Sequence, residues 1–347
     1  MELSSLNPQQ RQAVKATDGP VLILAGAGTG KTRVITSRVA YMIAKGIRPG
    51  NILAVTFTNK AAREMQERVR ELVPKAKLVN KDGNTEKPTI CTFHSLCVRI
   101  LRRHVEKLGY KKNFVIYDET EQLGVVRRLL SHISDKSKKP DPYAILSLIS
   151  RWRNTRDSDL STDDPDLAAL AKRLVTDYQQ TLKASNAVDF DDLILLVLKL
   201  FQEHPAALEE CRARYRYIMV DEYQDTNGSQ FDLVHSLAKE HRNFCVVGDD
   251  DQSIYGWRGA EVANMLELDK YFPEVLVVKL EQNYRSTNSI LNAANAVIKN
   301  NTNRREKQLW SDKGRGEPIT LWEFRDDEEE AQAIVEELNY NRGIKKV

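Results

Sequence analysis

The sequence predicts an α/β protein in which a parallel β-sheet carries helices on both faces. Six short apolar runs rich in β-branched residues recur along the chain, and helical periodicity follows most of them. Strands that alternate with helices form parallel sheets, which bind ligands at the carboxyl ends of their strands. The predicted strands are residues 21–25, 52–57, 89–93, 217–222, 244–249 and 275–280.

The helical segments indicate a subdomain inserted into the sheet domain. Between residues 107 and 188 the pattern contains helices only, with polar breaks at 135–142 and 157–166. We therefore predict an all-helical insertion. The helices predicted to follow strands of the sheet include residues 33–44, 60–73 and 229–238.

A new unit is predicted after residue 280. It has an apparent helix at 289–299, a strand at 318–324 and an acidic helix at 327–338. The charge run at its start, 326–330, is interpreted as a solvated helix N-terminus that the helix dipole favours. The predicted domains are a first domain of residues 1–107 and 189–277, a helical insertion of residues 108–188, and an incomplete second domain of residues 278–347.

Bulk composition excludes several classes of protein. The net charge of +3, from 52 Lys and Arg against 49 Asp and Glu, is too small to indicate a nucleic-acid partner, so any basic surface must be local. Residues 1–10 do not resemble a signal peptide, and the longest apolar run, 193–198, cannot span a bilayer. We expect a cytoplasmic protein with no membrane partner. The four cysteines lack metal-ligand spacing and are predicted to be buried thiols.

A glycine-rich turn follows the first strand and predicts a phosphate-binding loop. Glycines let the backbone wrap around phosphates, Lys31 can reach the β- and γ-phosphates, and the Thr32 hydroxyl can ligate Mg²⁺. Ala25 departs from the strict glycine pattern, but only a small residue is needed there. The loop reads Ala25-Gly26-Ala27-Gly28-Thr29-Gly30-Lys31-Thr32.

A second element of the predicted site is the acidic end of the strand at 217–222. Asp221 is predicted to hold Mg²⁺, and Glu222 to orient and deprotonate the attacking water. Two acids at a strand end are common by themselves. Their combination with the loop lysine is what predicts nucleotide hydrolysis.

Seven blocks of sequence, in this order, resemble the UvrD/Rep/PcrA helicases of superfamily 1, with Rep as the nearest member. The resemblance covers essentially the whole chain. It implies a RecA-like P-loop fold and an ATP- and Mg²⁺-dependent 3′–5′ DNA helicase or single-strand translocase of replication or repair. The blocks are Leu6-Asn7-Pro8-Gln9-Gln10, the loop ending Lys31-Thr32-Arg33, residues 54–62, Thr92-Phe93-His94-Ser95-Leu96, residues 220–226, residues 247–260 and Gln282-Asn283-Tyr284-Arg285-Ser286.

The resemblance implies further roles around the nucleotide. Gln10 would read the adenine edge, with Arg33 and Tyr284 near the base. Gln252 would sense the γ-phosphate and the catalytic water. Arg285 would be an arginine finger from the second domain, a role that suits a planar and permanently charged guanidinium.

The resemblance also implies a path for DNA across the two motor domains. The expected partners are single-stranded DNA and junctions of single- and double-stranded DNA, together with replication or repair proteins. Aromatic side chains stack on any base, which gives binding with little sequence preference. The implied DNA-binding residues are Thr56, Phe57, Asn59, His94, Tyr255, Trp257 and Arg258.

Several alternatives remain open on the residues alone. Phe57 and Phe93 end apolar strands and fit core packing as well as stacking, and His94 fits a capping or surface role. The basic stretch at 99–112 fits either phosphate contact or a solvated helix face. The acids at 189–192 are interpreted as a helix cap without a catalytic role.

Two functions of different class are also open. One is an enzyme that couples ATP hydrolysis to unwinding, with a helicase–nuclease subunit of the AddA or RecB type as an alternative within that class. The other is a binding module that holds nucleotide or single strands without coupling them. Residues after 280 are too few for the family's complete second domain, so we expect a fragment that does not unwind DNA by itself.

Overall fold

The computed structural model describes residues 3–79, 83, 85–132, 140–154 and 164–345. Among these residues, six strands form one parallel sheet and two more form a separate parallel pair. The strands are β1 Val21–Ala25, β2 Ile52–Thr56, β3 Thr89–Thr92, β4 Val115–Ile116, β5 Ala187–Val188, β6 Tyr217–Val220, β7 Phe244–Gly248 and β8 Leu276–Leu280. The large sheet has the order β3-β2-β6-β7-β1-β8, which confirms the predicted parallel α/β fold.

Helices cover both faces of this sheet, as predicted. Those that follow β1, β2 and β6 agree with the predicted ranges to within two residues at each end. The helices are α1 Pro8–Lys15, α2 Lys31–Ala44, α3 Asn59–Leu72, α4 Phe93–His104, α5 Glu119–Ser131, α6 Pro142–Asn154, α7 Pro165–Ala184, α8 Phe190–Glu203, α9 Pro205–Arg214, α10 Gly228–Ala238, α11 Ala263–Leu266, α12 Leu268–Tyr271, α13 Asn288–Ile298 and α14 Asp327–Tyr340.

Alternate residues of each strand pack into opposite helical layers, as the period of two in a β-strand requires. In β1, Val21, Ile23 and Ala25 join the core that contains α1, α2 and α3. Leu22 and Leu24 join the core that contains α4, α8 and α10. Both faces of β1 are therefore buried, and its carboxyl end is the point where the chain can present polar groups to a ligand.

The insertion is a separately packed unit. Its helices α5, α6 and α7 share a core that includes Val126, Ile145 and Tyr178. The prediction of helices only was wrong in one detail, because β4 and β5 pair where the chain enters and leaves the insertion. Strands of two residues are too short to give a periodic signal. The predicted breaks at 135–142 and 157–166 fall largely outside the described residues.

A buried ion-pair cluster joins the insertion to the sheet domain. Arg153 of α6 lies 2.7 Å from Asp189 and also contacts Asp192, both at the start of α8. The three side chains are 2%, 2% and 7% exposed. Asp189 and Asp192 also form a reciprocal capping box, which confirms the predicted cap. The hydroxyl of Tyr178 donates a hydrogen bond to Asp189.

The segment after residue 280 departs from expectation in one element. The domain boundary at residue 278 stays a prediction; β8, which contains this residue, pairs with β1 in the first sheet. The strand predicted at 318–324 is wrong: Leu321 is 93% exposed, and no described neighbouring strand supplies its hydrogen bonds. The helices predicted at 289–299 and 327–338 are confirmed as α13 and α14, and Asp326 caps the latter.

Two further expectations concern cysteine and the membrane. All four cysteines are buried free thiols, as predicted. Burial raises the pKa of the Cys91 thiol to about 11. Of the helices that the structure describes, none combines the length and the apolar character that crossing a bilayer requires.

Candidate active site and cleft

The glycine-rich loop connects β1 directly to α2. Gly28 and Gly30 have φ angles of 71° and 91°, in the left-handed region that favours glycine. A Cβ on Gly28 would also lie 2.6 Å from the side-chain nitrogen of Asn283. Helix α2 begins without a side-chain cap and without an acidic residue in its first turn. Its first N–H groups and its dipole therefore suit an anion.

The lysine of the loop meets the acidic end of β6. Lys31 Nζ lies 2.8 Å from Glu222 Oε2, and their side chains are 12% and 39% exposed. Glu222 has a φ of 49°, a left-handed conformation that is strained for a residue other than glycine. The structure thus brings together Lys31 and Glu222, which the sequence analysis placed in one catalytic site.

Asp221, the residue after β6, is 5% exposed. Burial and the charge of Glu222 raise the pKa of its carboxyl to about 6, although Lys31 acts to lower it. One of its oxygens accepts a hydrogen bond from the Glu222 backbone N–H. A divalent cation would offset the burial of this carboxylate, and the half-buried Thr32 at the start of α2 offers a second hard oxygen. These residues fit the predicted Mg²⁺ site.

The residues assigned to the adenine end lie around the N-terminal segment. Gln10 is 1% exposed, and its side-chain nitrogen donates to the Thr29 carbonyl at 2.9 Å. The Tyr284 hydroxyl accepts a hydrogen bond from the Asn7 side chain at 2.9 Å, and Asn7 in turn forms a capping box with Gln10. Arg33 is exposed and donates to the Ser5 carbonyl. Gln10 and Tyr284 are therefore linked through one asparagine.

Asn283 is a site residue that the sequence analysis did not single out. Its side-chain nitrogen donates to the Ala27 carbonyl at 2.6 Å, and its oxygen accepts from the N–H of Arg285. The backbone N–H of Tyr284 donates to the Gly28 carbonyl. These bonds hold Arg285 against the phosphate-binding loop. The signal was present, because Asn283 lies in one of the blocks that carried the family resemblance.

Gln252 is exposed and is connected to Glu222 through two residues. Its side-chain nitrogen donates to Asp249 Oδ2 at 2.6 Å. The Asp249 backbone N–H donates to Gln224 Oε1 at 3.1 Å, and Gln224 Nε2 donates to Glu222 Oε2 at 3.0 Å. Gln224, which sequence reasoning missed, is 2% exposed and thus holds the ends of β6 and β7 in one arrangement.

A cleft of about 1150 Å³ separates the sheet domain from the insertion. Trp257, His94 and Phe190 line it from the sheet domain, and Tyr143 and Arg151 line it from α6. Trp257 is 71% exposed, and the rings of His94 and Phe190 are 5.6 Å apart. Phe190 and Tyr143 were not predicted, since one exposed aromatic in the first turn of a helix carries no distinctive pattern.

The remaining predicted DNA residues have different environments. Asn59 and Tyr255 are exposed, whereas Thr56 ends a buried strand and is only 2% exposed. We therefore leave Thr56 out of the DNA path. Phe57 is half-buried with its ring 5.6 Å from the ring of Phe93, which is in the core. The side chain of Arg258, also predicted to bind DNA, lies outside the described part of the chain.

Two arginines of the basic stretch at 99–112 have partners within the fold. Arg102 donates to the carbonyls of Lys112 and Phe114 and lies over the Phe114 ring. Arg103 pairs with Glu210 at 3.4 Å. For these two residues the contacts favour a helix face over a phosphate site.

Known proteins resemble this chain along its full length. Residues 6–273 match the family model of the UvrD/REP helicase N-terminal domain, and residues 278–347 match that of the UvrD-like helicase C-terminal domain. The first of these domains has a RecA-like P-loop fold, and the parallel sheet with its loop before α2 agrees with it.

Curated relatives give the same family. "ATP-dependent DNA helicase PcrA" of Staphylococcus aureus is 45% identical over 99% of this chain, and that of Bacillus subtilis is 45% identical over 97%. These matches take in 47% and 45% of the two relatives, so the chain spans about half the length of the curated relatives it matches. Both relatives are PcrA proteins, and neither match bears on a Rep protein. The expectation that Rep is the nearest member therefore stays a prediction.

Proposed function

Because this chain belongs to the UvrD/REP helicase family, we propose that it is the ATP-hydrolysing part of a DNA helicase that moves 3′ to 5′ along a single strand. The observation that carries the proposal is the 2.8 Å ion pair between Lys31 and Glu222. It joins the phosphate-binding loop to the acidic end of β6, across 191 residues of sequence. A cationic loop, a buried carboxylate and a base at one sheet edge are what ATP hydrolysis needs.

The triphosphate binds at the uncapped start of α2. The N–H groups of the loop and of the first helical turn donate to phosphate oxygens, and Lys31 neutralises the β- and γ-phosphates. The phosphates compete with Glu222 for the Lys31 ammonium. Nucleotide binding therefore releases the Glu222 carboxylate from its ion pair, and the adenine lies towards Gln10, Arg33 and Tyr284.

The Thr32 hydroxyl and the Asp221 carboxylate would hold Mg²⁺, since both are hard oxygen donors of the kind this ion prefers. When bound, the ion neutralises the charge that develops on the transferring phosphoryl group. Asp221 suits this role because a bound cation would offset the cost of burying its carboxylate. Lys31 already acts in that direction, since its charge lowers the pKa that burial raises.

Glu222 acts as the base that accepts a proton from the attacking water. The water oxygen bonds to the γ-phosphorus while the bond to the β–γ bridging oxygen breaks, which gives ADP and inorganic phosphate. Gln252 lies at the end of the hydrogen-bonded chain from Glu222 and contacts the γ-phosphate and the water. Arg285, held beside the loop by Asn283, stabilises the negative charge of the transition state.

Single-stranded DNA binds in the cleft between the sheet domain and the insertion. Trp257, Phe190 and Tyr143 provide stacking surfaces for bases. The cleft is also lined by three acidic residues, Glu119, Asp191 and Glu261. Among the described lining residues, Arg151 is the permanently charged cation that opposes them. Stacking therefore supplies more of the affinity in this stretch than phosphate neutralisation does, and the single strand continues past Asn59, Phe57 and Tyr255. The partners are single strands and their junctions with duplex.

The cellular setting of such a motor follows from its substrate. A DNA motor works where DNA lies, which in bacteria such as those of the two relatives is the cytoplasm. Unwinding serves DNA replication or repair, and proteins of those processes are the partners that such a motor requires.

The test is ATP hydrolysis by the purified chain, measured with and without poly-dT. Glu222→Gln is expected to bind nucleotide at least as tightly as the parent chain, because it removes the carboxylate that competes for Lys31. It is expected to lose hydrolysis, since an amide does not accept the proton. Lys31→Ala is expected to weaken nucleotide binding, because it removes the ammonium group that neutralises the phosphates. Glu106→Gln is the matched control, since Glu106 is an exposed partner of Lys112 far from the loop in sequence.

Substantial turnover by Glu222→Gln would rule out its role as the base. Unchanged nucleotide affinity in a folded Lys31→Ala variant would rule out the loop as the phosphate site.

A further inference from the structure

Lys307 sits at the centre of three consecutive carboxylates. Its Nζ lies 2.7 Å from Asp249 Oδ1, 2.6 Å from Asp250 Oδ1 and 2.6 Å from Asp251 Oδ2. An ammonium group has three N–H donors, so each carboxylate receives one of them. The Lys307 side chain is 3% exposed. The three aspartates have the spacing of a metal site, and the lysine is the cation that fills it.

The neighbours of Lys307 fasten the same segment to the sheet domain. Arg304 makes two hydrogen bonds of 2.8 Å to Asp251, and the backbone N–H of Arg305 donates to Asp250 at 2.6 Å. Two residues beyond Lys307, the Leu309 side chain packs so closely on Gly26 that a Cβ on Gly26 would collide with it. Residues 304–309 therefore contact both the phosphate-binding loop and the turn that follows β7.

Asp249 links this segment to the site of hydrolysis. One of its carboxylate oxygens accepts from Lys307, and the other accepts from Gln252 at 2.6 Å. We propose that Lys307 is a positioning residue for ATP hydrolysis, which holds the Asp249 carboxylate in the orientation that aims Gln252 at the γ-phosphate. This inference rests on the function proposed above and adds to it a residue 55 positions beyond Gln252 in the sequence.

Charge explains why the arrangement depends on Lys307. Three adjacent carboxylates repel one another, and only cations from residues 304–307 are described in contact with them. Burial acts to lower the pKa of Lys307, but Asp249 and the hydrogen bonds to all three aspartates raise it above its ordinary value. Lys307 is thus charged at neutral pH. Without it, Asp249 Oδ1 keeps, among its described contacts, only the 3.3 Å hydrogen bond from the backbone N–H of Asp251. The uncompensated repulsion from Asp250 and Asp251 then turns the carboxylate away from the position that orients Gln252.

The experiment compares Lys307→Gln with Arg304→Gln in steady-state ATP hydrolysis at saturating poly-dT. Both variants remove one cation of the same segment, but only Lys307 contacts Asp249. Lys307→Gln is expected to lower kcat by about 10- to 100-fold with little change in KM for ATP, because a small misplacement of a reacting group has effects of this size. Arg304→Gln is expected to keep kcat close to that of the parent, because its two side-chain hydrogen bonds to this cluster go to Asp251 and none goes to Asp249.

A double variant separates positioning from a general structural effect. If Lys307 acts through Gln252, Lys307→Gln combined with Gln252→Ala has the kcat of Gln252→Ala alone, since residues that act as a unit are not additive. Lys307→Gln/Asp250→Asn also removes one of the three repelling carboxylates. It replaces Lys307→Gln in the comparison if the single variant does not fold. A thermal melt confirms the fold of each variant.

Three results would overturn the inference: an unchanged kcat in Lys307→Gln, an equal fall of kcat in Arg304→Gln, or additive losses in the double variant. An absence of ATP hydrolysis in the parent chain would instead refute the proposed function, and the inference would fall with it. Normal hydrolysis by the parent and by Lys307→Gln refutes only the role of Lys307.

Discussion

Replacement of Arg153 by methionine is expected to destabilise the chain more than any surface charge substitution. Arg153 is 2% exposed and is the cationic partner of Asp189 and Asp192, which are 2% and 7% exposed. The variant leaves two buried carboxylates without that cation. Removal of one partner from a buried ion pair costs about 3–5 kcal/mol. The cleft would also lose the contact that joins α6 to α8.

The measurement is urea-induced unfolding, followed by circular dichroism and by tryptophan fluorescence. The matched control is Arg103→Met, because the ion pair of Arg103 with Glu210 has side chains that are 55% and 53% exposed. Exposed pairs contribute about 0–1 kcal/mol, so the control should lose much less stability than Arg153→Met.

The pH dependence gives a second check on the same variant. Burial raises the pKa of Asp192 to about 6, above its ordinary value of 3.8, although Arg153 acts to lower it. A folded-state pKa above the unfolded one means that the folded state gains stability from protonation as the pH falls from about 6 to about 4. Without Arg153 this gain is larger. The deficit of the variant should therefore shrink between pH 8 and pH 5; a deficit below about 1 kcal/mol, or one that does not vary with pH, would refute the reasoning.

Two further predictions concern DNA. Trp257→Ala should weaken binding to poly-dT by about 1–3 kcal/mol in a fluorescence titration, the range for one lost stacking partner; no loss would make Trp257 a packing residue. Residues 1–347 alone should hydrolyse ATP weakly without displacing a strand from a duplex with a 3′ tail, because the described residues after β8 contain no second sheet to move DNA against the first. Robust strand displacement would contradict that view.

The fold was predictable where physical signals are local. The apolar runs that became the central sheet are short, rich in β-branched residues and followed by helical periodicity, a combination typical of buried strands. Their positions agree with the structure to within two residues at each end. The exceptions have one cause. β4 and β5 are two residues long, and the segment at 318–324 has strand-like composition but no described partner. Pairing is a tertiary property, and composition alone does not determine it.

The candidate site also contains residues that local signals predict and residues whose roles depend on tertiary contacts. Lys31 and Glu222 could be assigned because loop chemistry and strand-end acids have fixed residue types and spacing. Asn283 and Lys307 could not, because their roles arise from contacts across 256 and 57 residues of chain. An isolated asparagine or lysine in a polar segment has many possible environments. The pairing of Arg153 with the cap of α8 was hidden for the same reason.

The left-handed backbone of Glu222 has a consequence for the balance between stability and activity. A residue other than glycine, asparagine or aspartate in this conformation costs on the order of 1 kcal/mol or more. The fold bears that cost to aim a carboxylate at the loop. Asparagine at this position would relieve the backbone but remove the base, so selection for thermal stability alone would favour an inactive protein. Evolution of this chain for robustness is therefore constrained at the residue on which hydrolysis depends.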